Sequence, residues 1–148
     1  MQSINQVILT PARTQQLQRL YVTLSFDLVG RALEAASQLD DIIQHEIAGL
    51  PIGYLFEMGV IPQGPAMYMQ KQADGTLRYL GSQSASQPQL GIQIKHIAHA
   101  FSLLSFQEST ASAFANDRMV VDGDISLAMK VVRSLNRLEC LILPKLIA

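Results

Sequence analysis

The stretch AFANDRMVVDGDISLAMK, residues 113–130, decides the fold of this chain because it joins three elements of secondary structure in close succession. A short helix is expected to end near Asn116, and a brief β-branched strand follows from Arg118 to Asp122. Gly123 then turns the chain, since glycine adopts backbone angles that are closed to other residues. Asp124 is expected to start a long helix, where its carboxylate can accept hydrogen bonds from the first free amides.

The helix that follows Asp124 has a wide apolar face, which is typical of a helix that lies deep against a sheet. The apolar residues recur at i, i+3, i+4, i+7 and i+10, which is one helical face. They are Ile125, Ala128, Met129, Val132 and Leu135, and Leu127, Val131 and Leu138 widen the stripe. The chain stays apolar to its end, and because proline cannot continue a helix comfortably we expect a turn at Pro144. The apolar end would then fold back, either as a lid over the open end of a cavity or across a two-fold axis as a dimer contact.

Two helices are predicted upstream, at about residues 11–24 and 27–48, from apolar residues repeated at helical spacing. Thr23, Ser25 and Asp27 suggest the break between them. After the second helix the spacing of apolar residues changes to alternation, which predicts strands. Four strands are expected to form a meander, at residues 52–60, 66–71, 76–81 and 89–95. In the first of them, one side carries Ile52, Tyr54, Phe56, Met58 and Val60.

A short amphipathic helix from His96 to Phe106 and the closing segment complete the order of elements. Helices, a group of strands, helices, one strand and a final helix indicate an α+β fold. We therefore predict a five-stranded, mostly antiparallel sheet covered by helices, with two additional N-terminal helices.

Composition limits the functions to consider. Hydrophobic residues make up 49% of the 148 residues and charged residues only 16%, so a lined cavity, an oligomer interface or a membrane-facing surface is needed to absorb the apolar excess. The net charge of −1 argues against nucleic acid, which needs clustered Lys and Arg. No apolar run approaches the roughly 20 residues of a membrane-spanning helix, and no secretory signal is expected at the start.

Candidate catalytic and metal-binding residues are few. His45 lies one helical turn after Asp41, and His96 and His99 lie three residues apart, but neither pair has a third ligand at a sensible spacing. Cys140 has no base among its neighbours, so we expect a buried structural cysteine in a reducing compartment. No nucleophile elbow, phosphate-binding loop or dinucleotide fingerprint is present. We therefore predict no catalytic residues, no metal and no cofactor.

The methionines carry the one compositional hint of function. Met58, Met67, Met69, Met119 and Met129 fall in elements that should flank the core. Thioether side chains suit an adaptable apolar cavity because they repack around varied shapes, although plain filling of the core explains them equally well.

The closing segment resembles that of the sterol carrier protein type two family. The matching positions are Ala113, Phe114, Arg118, Met119, Val121, Gly123, Asp124, Leu127, Ala128, Met129 and Lys130. The strand pattern from about Asp40 onward fits the same family, whereas the first forty residues have no counterpart in its minimal domain and its usual tryptophan is absent. The resemblance implies residues 1–39 as a helical extension packed on the same domain, and residues 40–148 as a lipid-binding domain. It also implies a non-enzymatic protein that holds a lipid or acyl chain in an apolar tunnel between the sheet and the helices.

The resemblance favours a carrier of a fatty acyl, sterol-like or prenyl/quinone lipid. The family has no fixed ligand motif, so the contacts are predicted from face assignment: the sheet residues Phe56, Met58, Met67 and Met69 and the helix residues Phe101, Leu104, Ile125, Met129 and Val132. The alternative is an accessory subunit that presents a hydrophobic intermediate to partner enzymes, as some bacterial relatives look to be. Transient membrane contact, a homodimer or a partner enzyme stay open as interactions, in a cytoplasmic setting.

Overall fold

A computed structural model describes residues 10–147, with side chains described for residues 10–142. This part of the chain contains five helices and five strands. In chain order they are α1 (Pro11–Leu39), α2 (Asp41–Ile47), β1 (Leu55–Ile61), β2 (Ala66–Lys71), β3 (Leu77–Gly81), β4 (Leu90–Lys95), α3 (Ile97–Leu104), α4 (Thr110–Ala115), β5 (Met119–Asp122) and α5 (Ile125–Ile147). Among these helices, none combines the length and the apolar character that crossing a membrane requires.

The strands form one open sheet in the order β3-β2-β1-β4-β5. The predicted α+β fold with a five-stranded, mostly antiparallel sheet is confirmed, since only β1 and β4 pair in parallel. The predicted meander is wrong at β4, which lies beside β1 rather than beside β3. β4 is buried along most of its length, whereas β3 is mostly half-exposed, so the more apolar strand takes the interior position and the less apolar one the edge.

The core lies between one face of the sheet and the helices. Met58 of β1 stands opposite Met67 of β2 and Ile92 of β4, and all three side chains are buried. The residues predicted for one side of the first strand are buried from Tyr54 onward, and Leu55 on the other side is buried as well. Ile52 is exposed because the strand begins only at Leu55. α1 packs on β2, β3, α3 and α5 and so contributes directly to the core.

The predicted break at Thr23, Ser25 and Asp27 is wrong, because α1 continues through these residues to Leu39. Polar side chains that suggested the break are satisfied within the helix: the Thr23 hydroxyl donates to the Arg19 carbonyl at 2.8 Å, and Asp27 pairs with Arg31 at 3.0 Å. The break occurs instead at Asp40, whose carboxylate caps α2. A capping side chain, rather than an accumulation of polar residues, ends α1.

Two ion pairs fix α2 and its cap against α5. Arg137 forms a two-pronged pair with Asp40 at 2.9 and 3.1 Å, and Arg133 pairs with Glu46 at 3.0 Å. The Arg137 guanidinium holds the pKa of Asp40 below its usual value. The junction between the first two helices is therefore tied to the last helix by charge as well as by packing.

The predicted start of α5 is confirmed. Asp124 Oδ1 accepts from the amides of Ser126 at 2.8 Å and Leu127 at 3.2 Å. Gly123 has a φ of 135°, and a Cβ at this position would lie 2.9 Å from the backbone oxygen of Gln89. Glycine is therefore required both by the turn and by the close approach of the chain just before β4.

Two expectations for α5 are wrong. Ile125 is 61% exposed, because the first turn lies at the surface rather than on the buried face. The helix also continues past Pro144 to Ile147, so no turn occurs at the proline. A proline this close to a helix end removes one backbone hydrogen bond without ending the helix. The apolar side chains after Ile142, to which we assigned a covering role, lie outside the described side chains.

Candidate functional site

An apolar pocket lies where the sheet, α1, α3 and α5 meet. Its volume is about 50 Å³, and it is lined by Val29, Met58, Leu103, Leu104, Phe106, Thr110, Leu135, Leu138, Glu139 and Ile142. Larger clefts of about 700 Å³ and 640 Å³ run beside α1, but they open to solvent and carry glutamine, arginine and aspartate side chains. A third cleft of about 620 Å³, between α1 and α5, is lined mostly by alanine and leucine but is the most open to solvent of the three. A long apolar ligand gains affinity mainly by leaving water, so the small pocket is the better candidate site.

The α5 wall of the pocket follows from helical spacing. Leu135, Leu138, Glu139 and Ile142 recur at i, i+3, i+4 and i+7 and therefore share one face. Leu135 and Leu138 are buried, whereas Ile142 is half-buried near the end of the described side chains. Glu139 is the polar residue on this otherwise apolar face of α5, and it is the side chain that can bind a polar group of a ligand.

Phe106 forms part of the pocket wall from the loop between α3 and α4. The Phe106 amide donates to the Leu103 carbonyl at 3.2 Å, and the Gln107 amide donates to the Ser102 carbonyl at 2.8 Å. These two bonds form a Schellman motif at the end of α3, in which the residue with left-handed backbone angles is usually glycine. Phe106 occupies that position with a φ of 63° and is 38% exposed. The chain therefore accepts backbone strain where an aromatic ring borders the pocket.

Glu139 is the ionisable residue among the described side chains that line the pocket. Its two carboxylate oxygens accept from the Thr110 amide at 3.1 and 3.3 Å, and Oε1 also accepts from the Thr110 hydroxyl. Burial raises the pKa of Glu139, and the hydrogen bonds from Thr110 act against that shift. Thr110 is itself buried, so the pair places a fixed hydrogen-bonding group in an apolar wall.

The structure brings two of the predicted ligand residues, Met58 and Leu104, into this pocket. Phe101 lies nearby, half-buried, with its ring edge-to-face on Tyr21 at 5.0 Å between centroids. Met129 is half-buried and is not among the lining residues. The others that are buried lie in the core outside the pocket lining: Phe56, Met67, Met69 and Val132. Contact of the nine residues with a ligand stays a prediction.

Sequence reasoning missed most of the α5 wall and Phe106. Leu135 and Leu138 were on the predicted apolar face of the last helix but were not assigned to a site, and continuing that face one further turn would have added Ile142. A glutamate on that stripe was a further signal, because an acid on a buried helical face needs a specific partner. The left-handed position of Phe106 had no comparable signal, since a phenylalanine there gives no sign of a Schellman motif.

The other candidate residues do not form a site. Cys140 is exposed, so the prediction of a buried cysteine is wrong: it lies one residue after Glu139 and therefore points away from the pocket face. His45 is exposed, and His99 Nδ1 lies 2.8 Å from the Lys95 carbonyl oxygen. Across residues 10–147, no group of three or more His, Cys, Asp or Glu side chains has an arrangement that could hold a metal ion.

Comparison with solved structures identifies the fold. UbiJ-SCP2, described as a ubiquinone synthesis protein, aligns with a TM-score of 0.50 and 13% identity over 83% of this chain and 99% of its own. Palmitated SCP2L2 from Aedes aegypti aligns with a TM-score of 0.46 and 11% identity over 72% of this chain and 90% of its own. Sterol Carrier Protein 2 from Yarrowia lipolytica aligns with a TM-score of 0.45 and 14% identity over 75% of this chain and 88% of its own.

The likeness to UbiJ-SCP2 establishes that this chain has the sterol carrier protein type two fold, as its closing segment predicted. No family model and no curated protein sequence matches the chain. At 13% identity the likeness concerns the fold, so function has to be argued from the pocket.

Proposed function

We propose that this protein binds a long apolar ligand, without catalysing a reaction, in the pocket between β1, α1, α3 and α5. The observation that carries the proposal is the position of the pocket, which is lined from both the sheet and the covering helices in a sterol carrier protein type two fold. Affinity would come from desolvation, at about 0.8 kcal/mol for each buried CH₂ group. A fatty acyl, sterol-like or prenyl chain would supply many such groups.

The pocket must enlarge when the ligand enters. A volume of about 50 Å³ is smaller than the roughly 150 Å³ of an apolar cavity that holds one benzene molecule. Three lining side chains are suited to move: Met58 has a flexible thioether chain, Phe106 is partly exposed on a strained loop, and Ile142 is half-buried. Without ligand the core would therefore stay closed, and on binding the pocket would open between α3 and α5.

Native mass spectrometry of the purified protein tests the proposal, with a matched pair of variants. Leu104→Asp places a charge in the pocket wall, whereas Ile52→Asp places the same charge at an exposed position before β1. We expect a co-purifying or added lipid to be retained by the wild type and the Ile52 variant and lost by the Leu104 variant. Circular dichroism checks that both variants are folded. Equal retention by both variants, or no lipid bound to the wild type, would refute the proposal.

A second candidate is an accessory subunit that presents its ligand to a partner protein, and an exposed face of α1 favours it. Leu17, Leu20, Leu24 and Leu28 recur at i, i+3, i+7 and i+11, and the last two are 63% and 68% exposed. Several neighbouring leucines left in water suggest a surface that another molecule covers. The name of UbiJ-SCP2 points in the same direction, because that protein is described as taking part in ubiquinone synthesis. In native mass spectra, an assembly that Leu24→Ser dissociates, while lipid retention is unchanged, would support this candidate.

We infer in addition that residues 1–39 extend a minimal lipid-binding domain formed by residues 40–148. α1 supports this inference because it contributes Val29 to the pocket and packs on the sheet. A chain that starts at residue 40 should then fold less stably and retain less lipid. The proposal calls for no cofactor, and a cytoplasmic setting stays a prediction.

A further inference from the structure

Glu139 has hydrogen-bonding capacity that the described side chains, residues 10–142, do not use. A carboxylate offers about four acceptor positions. Thr110 supplies two donors, its amide and its hydroxyl, and the amide is shared between the two oxygens. Lone pairs therefore remain on a carboxylate that belongs to the pocket wall, surrounded by leucine, isoleucine and phenylalanine side chains. A ligand that brings a hydrogen-bond donor into the pocket would meet an acceptor that is already held in place.

The nearest arginines on α5 are engaged elsewhere. Arg137 pairs with Asp40, and Arg133 pairs with Glu46, which places both guanidinium groups against the α2 side of the helix. On the side of the α4 helix, Arg118 pairs with Glu108 at 3.1 Å. Within the described residues, the pocket wall thus presents an acid whose partner is Thr110, a neutral residue. A second carboxylate brought beside half-buried Glu139 would be repelled, because a neighbouring like charge disfavours the charged form of both groups.

We propose that Glu139 accepts a hydrogen bond from the head group of the ligand, so that the pocket selects uncharged long-chain lipids with a hydroxyl group over fatty acid anions. This inference rests on the proposed function and names the ligand class of the same site. The hydroxyl can belong to an aliphatic alcohol or to a phenol, since both donate a hydrogen bond and carry no charge at neutral pH. A fatty acid of the same chain length provides the same desolvation and differs only at the head group.

The first test uses the unaltered protein. Hexadecanol, decylphenol and palmitate, which have sixteen carbon atoms each, compete at neutral pH with a neutral fluorescent naphthylamine probe bound to the protein. We expect at least one of the two hydroxyl ligands to bind about tenfold more tightly than palmitate, the difference that one hydrogen bond to a charged group supplies. The relative affinities of the alcohol and the phenol identify the source of the hydroxyl. Palmitate binding as tightly as both hydroxyl ligands would overturn the inference and leave the proposed function standing.

The second test compares two substitutions of the same kind. Glu139→Gln removes the charge from the pocket wall and keeps the size of the side chain. Glu108→Gln makes the same change in a half-buried glutamate that does not line the pocket. We expect the preference for the hydroxyl ligand over palmitate to fall about tenfold in the Glu139 variant and to stay unchanged in the Glu108 variant. A preference that survives in the Glu139 variant, or falls equally in both, would overturn the inference.

The two proposals fail in different ways. If the naphthylamine probe and all three lipids fail to bind the wild type, the proposed function is wrong and the inference falls with it. If the lipids bind without regard to head group, only the role of Glu139 is wrong. Because the ligand comparison is made on the wild type, the inference can be refuted even where a variant does not fold.

Discussion

Filling the pocket with a larger side chain distinguishes a ligand site from an ordinary packing defect. Leu135 lines the pocket from α5 and is 4% exposed. Leu135→Phe places a ring into a space of about 50 Å³. At about 24 cal/mol per Å³, a cavity of this size corresponds to about 1 kcal/mol of stability that better packing can recover.

The magnitude follows from two opposing effects. Filling the space contributes up to about 1 kcal/mol, whereas forcing a larger side chain into a packed core typically costs 1–3 kcal/mol. If the ring enters the pocket, we expect the free energy of unfolding of the ligand-free variant to stay within about 1 kcal/mol of the wild type. Ligand binding should fall sharply at the same time, because the ring occupies the space where the chain of the ligand would lie.

A second leucine provides the control. Leu77 of β3 is buried and does not line the pocket, so Leu77→Phe should show the full cost of overpacking, about 1–3 kcal/mol, with ligand binding retained by the folded fraction. Urea denaturation measures the stability of each ligand-free variant, and displacement of a neutral fluorescent probe measures binding. If Leu135→Phe destabilises as much as Leu77→Phe and binds ligand as well as the wild type, the pocket is ordinary core and the reasoning is wrong.

Three further predictions concern the loop, the α2 cap and the α5 cap. Phe106→Gly removes both the ring and the left-handed strain, whereas Phe106→Ala removes the ring and keeps the strain. Because the ring is lost in both, we expect both variants to release ligand faster in stopped-flow displacement. Unchanged rates in both would exclude a role for the ring. The pKa of Asp40 is lowered in the folded protein, so its contribution to stability is present above its unfolded pKa and is lost as the pH falls through its folded pKa. In urea titrations, the Asp40→Asn variant should therefore lose less stability on acidification than the wild type. Parallel pH profiles of the two proteins would contradict the ion pair with Arg137. Asp124→Ala should lower the Tm through the lost cap and leave lipid retention intact, whereas lost binding at an unchanged Tm would make Asp124 a ligand contact.

The local elements of the sheet could be predicted because their signals lie in adjacent residues. β2 and β4 have the alternation that defines a strand, and Gly123 with Asp124 has the chemistry that a turn and a helix cap require. These signals depend on backbone angles and on side chains within a few residues. They therefore do not depend on contacts with distant parts of the chain. For this reason the closing segment was sufficient to indicate the fold.

The order of the strands and the end of α1 depend on distant contacts. β4 pairs with β1 because the interior of the sheet takes the more apolar strand, and adjacency in sequence gives no sign of this. α1 runs through Thr23 and Asp27 because both side chains find partners within the helix. The carboxylate of Asp40 is held by Arg137, which follows it by 97 residues. Local propensity predicts that a helix will end, but a partner from the last helix helps to fix where.

The pocket itself could be predicted only in part, because assigning a residue to the covered face of a strand does not show whether it borders an empty space or packed side chains. Alternation placed Met58 and Met67 on the covered face of the sheet, and both are buried there. Only Met58 lies at the pocket, since the volume left between layers depends on how helices from distant parts of the chain cross. Most of the methionines are buried in the core, their contact with a ligand stays a prediction, and the candidate pocket depends more on α5 than the sequence suggested.

The pocket is also where the chain accepts local costs that its fold does not explain. Lys71 is buried as well, but its ammonium group donates to the carbonyls of Ile47 at 2.5 Å and Leu50 at 3.1 Å, so its burial has a structural purpose at the end of α2. Phe106 and Glu139 are different: glycine would complete the Schellman motif without strain, and an apolar residue would complete the α5 stripe without burying a charge. Both exceptions border one pocket from different elements. Left-handed angles also occur away from this pocket, at Gln63, His96 and Asp117. Natural sequences break local rules chiefly at functional sites, so it is the combination of Phe106 with Glu139, rather than strain alone, that supports this pocket as the candidate ligand site.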